Sequence, residues 1–189
     1  MNHSIHFFAP VTFRSANMLL GIFQTILRNY QGGDDQITLY LSSEGGDLNS
    51  GFSLYNFIRS YPLPIKIINM GTIESIAVMI YLAADERYSI ENSRFLFHSF
   101  HWGYSNHPVD FQRLAENSSS LSFDTTRYIS IFKERTSTAK TPIDIEQCLT
   151  GSSKIISCTD AVSSAVCSKV IAPKDLCTTA DNYYWVDSF

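Results

Sequence analysis

The most informative stretch of this chain is IKIINMGTIESIAVMIYLAA, residues 65–84. Residues 65–70 are rich in isoleucine and predict a strand, and Gly71 predicts a turn. An apolar run of helical length then starts near Ser75. The stretch therefore predicts a strand, a turn and a helix, with a serine where the helix begins.

Ser75 has two interpretations at this position. A helix N-terminus exposes unpaired backbone N–H groups and the positive end of the helix dipole. A serine there can attack a carbonyl group while neighbouring N–H groups hold the oxyanion. Serine is also favoured at helix starts as a structural N-cap, and this stretch alone favours the cap. The rest of the sequence has to decide between the two.

Composition limits the classes of protein that fit. The chain has 189 residues, of which 44% are hydrophobic and 17% charged, as expected for a single domain with a sizeable core. Sparse charge and 13% aromatic residues suggest that part of the surface is buried in an oligomer. A net charge of −4 gives no support for nucleic-acid binding.

Four cysteines at positions 148, 158, 167 and 177 fit no zinc-site spacing, and we interpret them as reduced thiols of a cytoplasmic protein. The N-terminal residues do not resemble a signal peptide. No apolar run approaches the ~20 residues of a membrane span. We therefore expect that the protein does not associate with a membrane, and we also expect that it uses no cofactor.

The first half of the chain alternates between strand and helix patterns. These are predicted strands at residues 5–9 and 37–41, predicted helices at 15–30 and 48–61, and then the central stretch. The alternation indicates βαβ units and a largely parallel sheet. Right-handed crossovers bring the turn at Gly45-Gly46 and the turn at Ser75 to the same carboxyl edge, where α/β sheets bind ligands.

The second half is less regular. It predicts short strands at 87–90 and 94–97, a polar projecting helix at 109–133, helices at 143–149 (Pro142 in its first turn) and 158–164, and a last strand at 166–171. An aromatic tail, residues 178–189, is expected to pack against the rest. His98 follows a strand, where a lone histidine is usually structural, and the nearby His101 and His107 are weak evidence for a metal.

Four groups of residues together resemble the proteolytic subunit of the Clp protease. They are LYLSSEGG at 39–46, Gly51 with Leu54-Tyr55, MGxxxS at 70–75 and NSRxxxH at 92–98, with matching order over residues 5–171. The resemblance implies an α/β fold of the Clp/crotonase type, built from repeated ββα/βαβ units with a projecting handle helix. It implies one domain over residues 1–189, with the handle at about 100–135.

The resemblance also assigns roles to site residues. It makes Ser75 the nucleophile and His98 the base that takes the hydroxyl proton and passes it to the leaving amine. It places the oxyanion hole at the backbone N–H groups of Gly46 and Ile76. A backbone donor does not depend on its side chain, so Ile76 suits this role although the family usually has methionine there.

The sequence departs from the family pattern at the third catalytic position. Alignment on the Ile155-Ile156-Ser157 run puts Ser153 where the family has the aspartate that orients the histidine. Serine can accept a hydrogen bond but places no negative charge beside an imidazolium, and loss of this charge can cost ~10⁴-fold in rate. Three other carboxylates stay open as substitutes, namely Asp144, Glu146 and Asp160.

Two further departures add acidic groups to the expected site. Glu74 replaces a small residue immediately before the nucleophile, and Glu44 replaces a proline before the glycine pair. A carboxylate beside the nucleophile opposes a developing oxyanion unless it points away or is paired.

The resemblance carries expectations about partners. The segment 100–134 resembles the handle strand and helix through which the family's rings stack, so self-assembly into rings or double rings is expected. In the family, an axial loop and a first helix precede the first strand and help to dock an ATPase ring. Only residues 1–4 precede the predicted first strand here, which argues against a Clp-type ATPase partner and leaves a paralogous subunit as an alternative.

Two functions remain open on the sequence. The first is a serine endopeptidase that hydrolyses small or unfolded polypeptides inside an oligomeric chamber. The second is a catalytically impaired Clp-like subunit with a structural or regulatory role. The retained serine, histidine and glycine pair favour the peptidase, because these groups act as a unit. An acyl-CoA-handling crotonase relative is disfavoured, since those enzymes do not need this serine and histidine.

Overall fold

The computed structural model describes residues 1–103, 108–176 and 179–186. Eight strands are found in these ranges: β1 (Asn2–Phe8), β2 (Gln36–Ser43), β3 (Ile65–Glu74), β4 (Glu86–Ile90), β5 (Arg94–Phe97), β6 (Lys154–Ser157), β7 (Lys169–Ile171) and β8 (Asn182–Val186). The helices are α1 (Phe13–Asn29), α2 (Leu48–Ser60), α3 (Ala77–Leu82), α4 (Phe111–Arg135), α5 (Ile145–Thr150) and α6 (Cys158–Ser163), with a 3₁₀ turn at Pro173–Asp175.

The strands form one sheet in the order β6-β5-β3-β2-β1-β8, and β4 and β7 extend it from the first half of β3. All pairs are parallel except β5 with β6. The expected α/β fold with a largely parallel sheet is therefore confirmed.

The long strand β3 organises the sheet because its two halves have different neighbours. Residues 66–69 pair with β4, and residues 72–74 pair with β5. Between Leu41 and Ser43 on β2 the register with β3 shifts, from Asn69 to Ile73. The strand therefore continues through Gly71, where the sequence predicted a turn, because β5 supplies partners for the residues before Ser75.

The core lies around α3, whose six residues are all buried. Buried apolar side chains of β1, β2, β3 and β5 and of α1 and α2 belong to the same cluster. Thr12 caps α1 and Asp47 caps α2 through side-chain bonds to backbone N–H groups.

Several predicted boundaries are wrong. Helix α3 begins at Ala77 with Ile76 at its N-cap, so Ser75 is not the cap residue. The first strand begins at Asn2, because its early residues pair with both β2 and β8. Pro142 precedes the actual cap of α5, Asp144, and so lies outside the first turn.

The strand predicted at residues 166–171 is not the last strand of the chain. The tail contributes β8, which pairs in parallel with β1 and was predicted only as an aromatic segment that packs. Residues 154–157 form β6, a strand that was not predicted from the sequence. No helix in the described ranges is long and apolar enough to cross a membrane. Cys148, Cys158 and Cys167 are buried free thiols, and Cys177 lies outside the described residues.

Candidate active site

Ser75 occupies a sharp turn between β3 and α3. Its φ of 53° lies in the left-handed region, which costs a non-glycine residue on the order of 1–2 kcal/mol. The backbone is held there from both sides, since the Ser75 N–H donates to the Leu96 carbonyl at 3.0 Å and the Ser75 carbonyl accepts from the Val78 N–H at 3.1 Å. The turn leaves the serine at the carboxyl end of β3, at the edge expected from the sequence.

The glycine pair lies directly against this turn. A Cβ on Gly45 would lie 2.8 Å from the Ser75 Cβ, and a Cβ on Gly46 would lie 2.2 Å from the Val11 carbonyl oxygen. Both glycines have positive φ, 87° and 144°. The Val11 N–H donates to the Gly45 carbonyl at 2.7 Å, and the Val11 carbonyl accepts from the Asp47 N–H at 2.7 Å. Only glycine fits either position, and Val11 fixes the orientation of the turn.

Two backbone donors at this turn are free. Among the described residues, neither the N–H of Gly46 nor that of Ile76 has a hydrogen-bond partner, whereas the neighbouring N–H groups of Asp47 and Ser75 are bonded. Free N–H groups at the start of a helix attract negative charge. The two donors expected from the sequence are thus available to an anionic oxygen.

His98 follows the last residue of β5 and is half-buried. Its Nδ1 lies 2.8 Å from the carbonyl oxygen of Ser99. A carbonyl can only accept, so this bond assigns the proton to Nδ1 and leaves the lone pair on Nε2. A general base that works through Nε2 needs this tautomer, and here a backbone carbonyl selects it.

Ser75 and His98 line one cavity of about 360 Å³, together with both glycines. The cavity wall also includes Glu44, Glu74, Phe100 and His101. No hydrogen bond joins Ser75 and His98 in the part of the chain that the structure describes. Nucleophile and base are often loosely placed in an empty site and tighten when substrate binds. The two side chains expected to act together therefore share one face of the sheet.

Ser153 lies just before β6, next to the end of β5. The last antiparallel pair joins Phe97 to Lys154, so the next residues on the two chains are His98 and Ser153. Ser153 is exposed, and within the described ranges it makes no hydrogen bond to the imidazole. The β5–β6 register thus places Ser153, which carries no charge, next to His98.

The three alternative carboxylates are engaged elsewhere. Asp144 accepts from the Gln147 N–H as the cap of α5, Glu146 pairs with Lys133, and Asp160 accepts from the Ser157 hydroxyl at the start of α6. None of them bonds to His98. The structure gives no support for one of these residues replacing the missing aspartate, because Asp144 and Asp160 bond at the starts of α5 and α6 and Glu146 pairs with Lys133 on α4.

Glu74 is paired. Its Oε1 accepts from Arg94 Nη2 at 2.7 Å and from the Thr72 hydroxyl at 2.9 Å. Arg94 lies opposite Thr72 on β5, and residues 72 and 74 share one face of β3, so the side chains meet across the strands. The charge of the carboxylate next to Ser75 is thereby neutralised. Glu44 is exposed on the cavity wall and forms no ion pair within the described residues.

Sequence reasoning missed one contact of the nucleophile turn. The hydroxyl of Tyr128, on α4, donates to the Ser75 carbonyl oxygen at 3.2 Å. The sequence predicted only a polar projecting helix in this part of the chain. No local signal could have revealed the contact, because 53 residues separate the two positions.

Metal chemistry has no support in the described part of the chain. His101 lines the cavity, with its ring centroid 6.4 Å from that of His98. His107, the other histidine considered from the sequence, lies outside the described residues. No group of three or more His, Cys, Asp or Glu suited to a metal ion is found in the described ranges.

Comparison with known families identifies the chain. A family model for Clp protease matches residues 2–174. The chain belongs to the Clp protease family. At the family level this makes it a relative of serine peptidases, and the Clp proteolytic subunit suspected from the sequence motifs is confirmed as its family.

Curated Clp relatives match shorter stretches. ATP-dependent Clp protease proteolytic subunit 2 of Treponema pallidum is 39% identical over 64 residues, 33% of this chain and 32% of that protein. The subunit 2 of Borreliella burgdorferi is 33% identical over 78 residues, 40% of this chain and 39% of the relative. The proteolytic subunit of Deinococcus radiodurans is 26% identical over 105 residues, 54% of this chain and 50% of the relative. The chain spans a third to a half of these Clp relatives' length.

Clp structures match over more of the chain. A mutant of ClpP1 from Listeria monocytogenes superposes with a TM-score of 0.71 over 91% of this chain and 92% of that one, at 18% identity. ClpP1 from the same organism superposes with a TM-score of 0.68 over the same shares of the two chains, also at 18% identity. At this identity the likeness shows a common Clp fold.

Proposed function

We propose that this Clp family member is a serine endopeptidase in which Ser75 is the nucleophile and His98 the general base. The observation that carries the proposal is that both side chains line one cavity beside two unpartnered backbone donors. A serine, a base and a pair of oxyanion donors are the groups that acyl transfer needs.

The proposed reaction starts with proton transfer. His98 Nε2 takes the hydroxyl proton of Ser75 as Oγ bonds to the scissile carbonyl carbon. The carbonyl electron pair moves to the oxygen, and the N–H groups of Gly46 and Ile76 hold the resulting oxyanion. The C–N bond then breaks as the imidazolium gives its proton to the amine, which leaves an acyl group on Ser75. A water molecule, deprotonated by His98, hydrolyses this ester.

Among the described residues no carboxylate bonds to His98, and the imidazolium that forms in this reaction is stabilised by the Ser99 carbonyl. A carbonyl dipole fixes the tautomer but balances less positive charge than a carboxylate does. We therefore expect slow turnover compared with a serine, histidine and aspartate triad, where removal of the aspartate costs ~10⁴-fold. Ser153 can accept a hydrogen bond but does not supply the missing charge.

The missing carboxylate is also the observation that favours the second candidate function, a catalytically impaired subunit with a structural or regulatory role. This subunit would assemble with itself or with a competent paralogue. An intact cavity with free oxyanion donors argues for the peptidase, because a pseudoenzyme has no need to keep them unpaired.

Peptide hydrolysis tests the proposed activity. Internally quenched peptides should be cleaved by the wild-type chain, and cleavage should fall to background in Ser75→Ala and in His98→Ala. Ser118→Ala, an exposed serine on α4, is the matched control and should cleave at the wild-type rate. Cleavage that survives Ser75→Ala would refute Ser75 as the nucleophile, and no cleavage by a folded wild-type protein would favour the impaired subunit.

The proposal extends to assembly and partners. Small or unfolded polypeptides would be cut inside a chamber that copies of this chain form as rings or double rings, with contacts through α4. The support is that α4 carries apolar side chains in solvent, Phe111 at 86% and Phe123 at 67% exposure. A Clp-type ATPase and a paralogous subunit are further candidate partners, and pull-down with each would test them.

A further inference from the structure

Tyr128 lies in the core, next to the turn that contains Ser75. It is fully buried on α4, and its hydroxyl donates to the carbonyl oxygen of Ser75 at 3.2 Å. Its ring packs edge-on against Phe100, with centroids 5.3 Å apart, and Phe100 lines the catalytic cavity. Burial raises the pKa of Tyr128, so its hydroxyl keeps its proton and acts as a donor.

The peptide unit after Ser75 links this bond to the cavity. A peptide unit is planar and trans, so its C=O and its N–H point in opposite directions. The carbonyl that Tyr128 holds and the N–H of Ile76 belong to the same unit. A carbonyl directed into the core towards Tyr128 therefore directs the Ile76 N–H away from α4. That N–H is one of the two unpartnered donors at the site.

The peptide unit needs such support because Ser75 has left-handed backbone geometry. At φ 53° a serine is in an unfavourable region, and rotation of the adjoining peptide would relieve the cost. The Val78 N–H also bonds to the Ser75 carbonyl, but it belongs to the same short helix and would move with it. Tyr128 is the contact that comes from a separate element.

We propose that Tyr128 is a positioning residue that holds the Ser75–Ile76 peptide unit with its N–H available to the oxyanion. The inference rests on the proposed function, in which Ile76 supplies an oxyanion donor. Tyr128 touches neither substrate nor the reacting atoms. It acts through the peptide unit and should affect the stability of the tetrahedral intermediate rather than substrate binding.

The chain offers a matched pair of variants for the test. Tyr128→Phe removes one buried hydroxyl and keeps the ring. Tyr81→Phe makes the same change at another fully buried tyrosine, whose hydroxyl donates to the Tyr88 carbonyl at 2.9 Å, away from the cavity. Both variants lose a bond to a backbone carbonyl, and the Tyr81 hydroxyl also bonds with the Cys167 thiol, so a general loss of stability should lower the Tm of Tyr81→Phe at least as much as that of Tyr128→Phe.

Two measurements separate a positioning role of Tyr128 from a general stabilising role. They are steady-state peptide hydrolysis and the affinity for a peptide boronic acid, which forms a tetrahedral adduct with serine. In Tyr128→Phe we expect kcat to fall by about tenfold with KM unchanged, because loss of a whole oxyanion donor costs 10²–10³-fold and Val78 still holds the carbonyl. Boronate affinity should fall by a similar factor. In Tyr81→Phe both quantities should stay within about twofold of wild type.

Each other outcome overturns a specific claim. Unchanged kcat and boronate affinity in Tyr128→Phe, in a wild-type protein that cleaves peptides, would overturn the inference and leave the proposed function standing. Equal losses in both variants would reduce Tyr128 to a general stabilising role and also overturn it. A folded wild-type protein that neither cleaves peptides nor binds the boronate would overturn the proposed function, and the inference with it.

Discussion

Three hydrogen bonds to its backbone hold Ser75 in its left-handed conformation. The Leu96 carbonyl accepts its N–H, and its carbonyl accepts from Val78 and from Tyr128. These bonds offset the cost of a left-handed serine, and they come from a strand and two helices. The position of Ser75 is thus determined by the assembled fold rather than by its own turn.

Ser153→Asp should restore the charge that the site lacks. The β5–β6 register puts residue 153 next to His98, so a carboxylate there can stabilise the imidazolium that forms during attack. We expect peptide hydrolysis to rise by at least about tenfold, a fraction of the ~10⁴-fold attributed to this group in established triads. Initial rates at pH 7 measure the effect.

Ser152→Asp is the control for this gain. It adds the same charge one residue away, at a position off the register with His98. An equal gain in both variants would mean that the carboxylate acts through the general field of the site, and the alignment of residue 153 with the missing aspartate would lose its support.

At the level of single residues, the sequence predicted the features that depend on local spacing alone. His98 follows a recognisable strand, and the glycine pair follows another, so their shared edge could be derived from chain order. The tautomer of His98 depends on a carbonyl whose direction no residue type reveals. The bond from Tyr128 depends on how α4 packs, which spacing does not encode.

Glu74 and Arg94 connect neighbouring strands beside the nucleophile. Arg94→Gln should leave the Glu74 carboxylate unpaired on the cavity wall, where it would oppose the oxyanion. We expect kcat for peptide hydrolysis to fall several-fold. The Glu74→Gln/Arg94→Gln double variant should recover most of the loss, because it removes the uncompensated charge. A double variant as slow as Arg94→Gln would show that Arg94 contributes in another way.

Asp85 joins the C-terminal ends of two helices. Its carboxylate accepts from Arg135 at 2.6 Å and from Arg59 at 2.9 Å, and the bond to Arg135 is the main reason why the pKa of Asp85 is lowered. A carboxyl whose pKa is lower in the folded state stabilises the fold above its unfolded pKa, about 3.9. That contribution is lost as the pH falls through the folded-state pKa.

Asp85→Asn should therefore lower the free energy of unfolding at pH 7 by up to ~1 kcal/mol, a small value because the carboxylate is largely exposed. The difference from wild type should shrink below the ordinary pKa range of the carboxyl. Thermal melts at pH 7 and pH 3 measure it, with Asp175→Asn, an exposed aspartate with no ion pair among the described residues, as control. A difference as large at pH 3 as at pH 7 would contradict the electrostatic origin.

Among the elements, long periodic helices and isoleucine-rich strands were predictable, because each has its own pattern. The start of α3 was placed too early, since residues 73–76, with Ile73 and Ile76 as the apolar ones, fit a strand end as well as a helix. Strand β8 was missed because its identity comes from pairing with β1, far away in sequence. Gly71 suggested a turn, but it lies where β3 changes its register with β2 and its partner from β4 to β5.

At the scale of the whole molecule, α4 exposes two large apolar side chains, Phe111 and Phe123. If copies assemble through this helix, the native mass should be a multiple of the 21.3 kDa chain. Phe111→Asp/Phe123→Asp should shift it towards the monomer, because it places two charges in the proposed interface. Light scattering after size-exclusion chromatography measures this.

Gln112→Asp adds a charge on the same helix next to one of these positions and serves as the control, with little expected change in mass. A wild-type protein that elutes as a monomer at micromolar concentration would contradict assembly through α4. Any peptide cleavage by such a monomer would then take place at an open site rather than inside a chamber.

The central claim is that Ser75 is an activated nucleophile, and labelling with a fluorophosphonate probe tests it most directly. Intact-mass analysis of the folded wild-type protein should show one covalent adduct, which peptide mapping should assign to Ser75, and no adduct in Ser75→Ala or His98→Ala. A folded wild-type protein that remains unlabelled across pH 6–9, or an adduct formed equally well in His98→Ala, would contradict it.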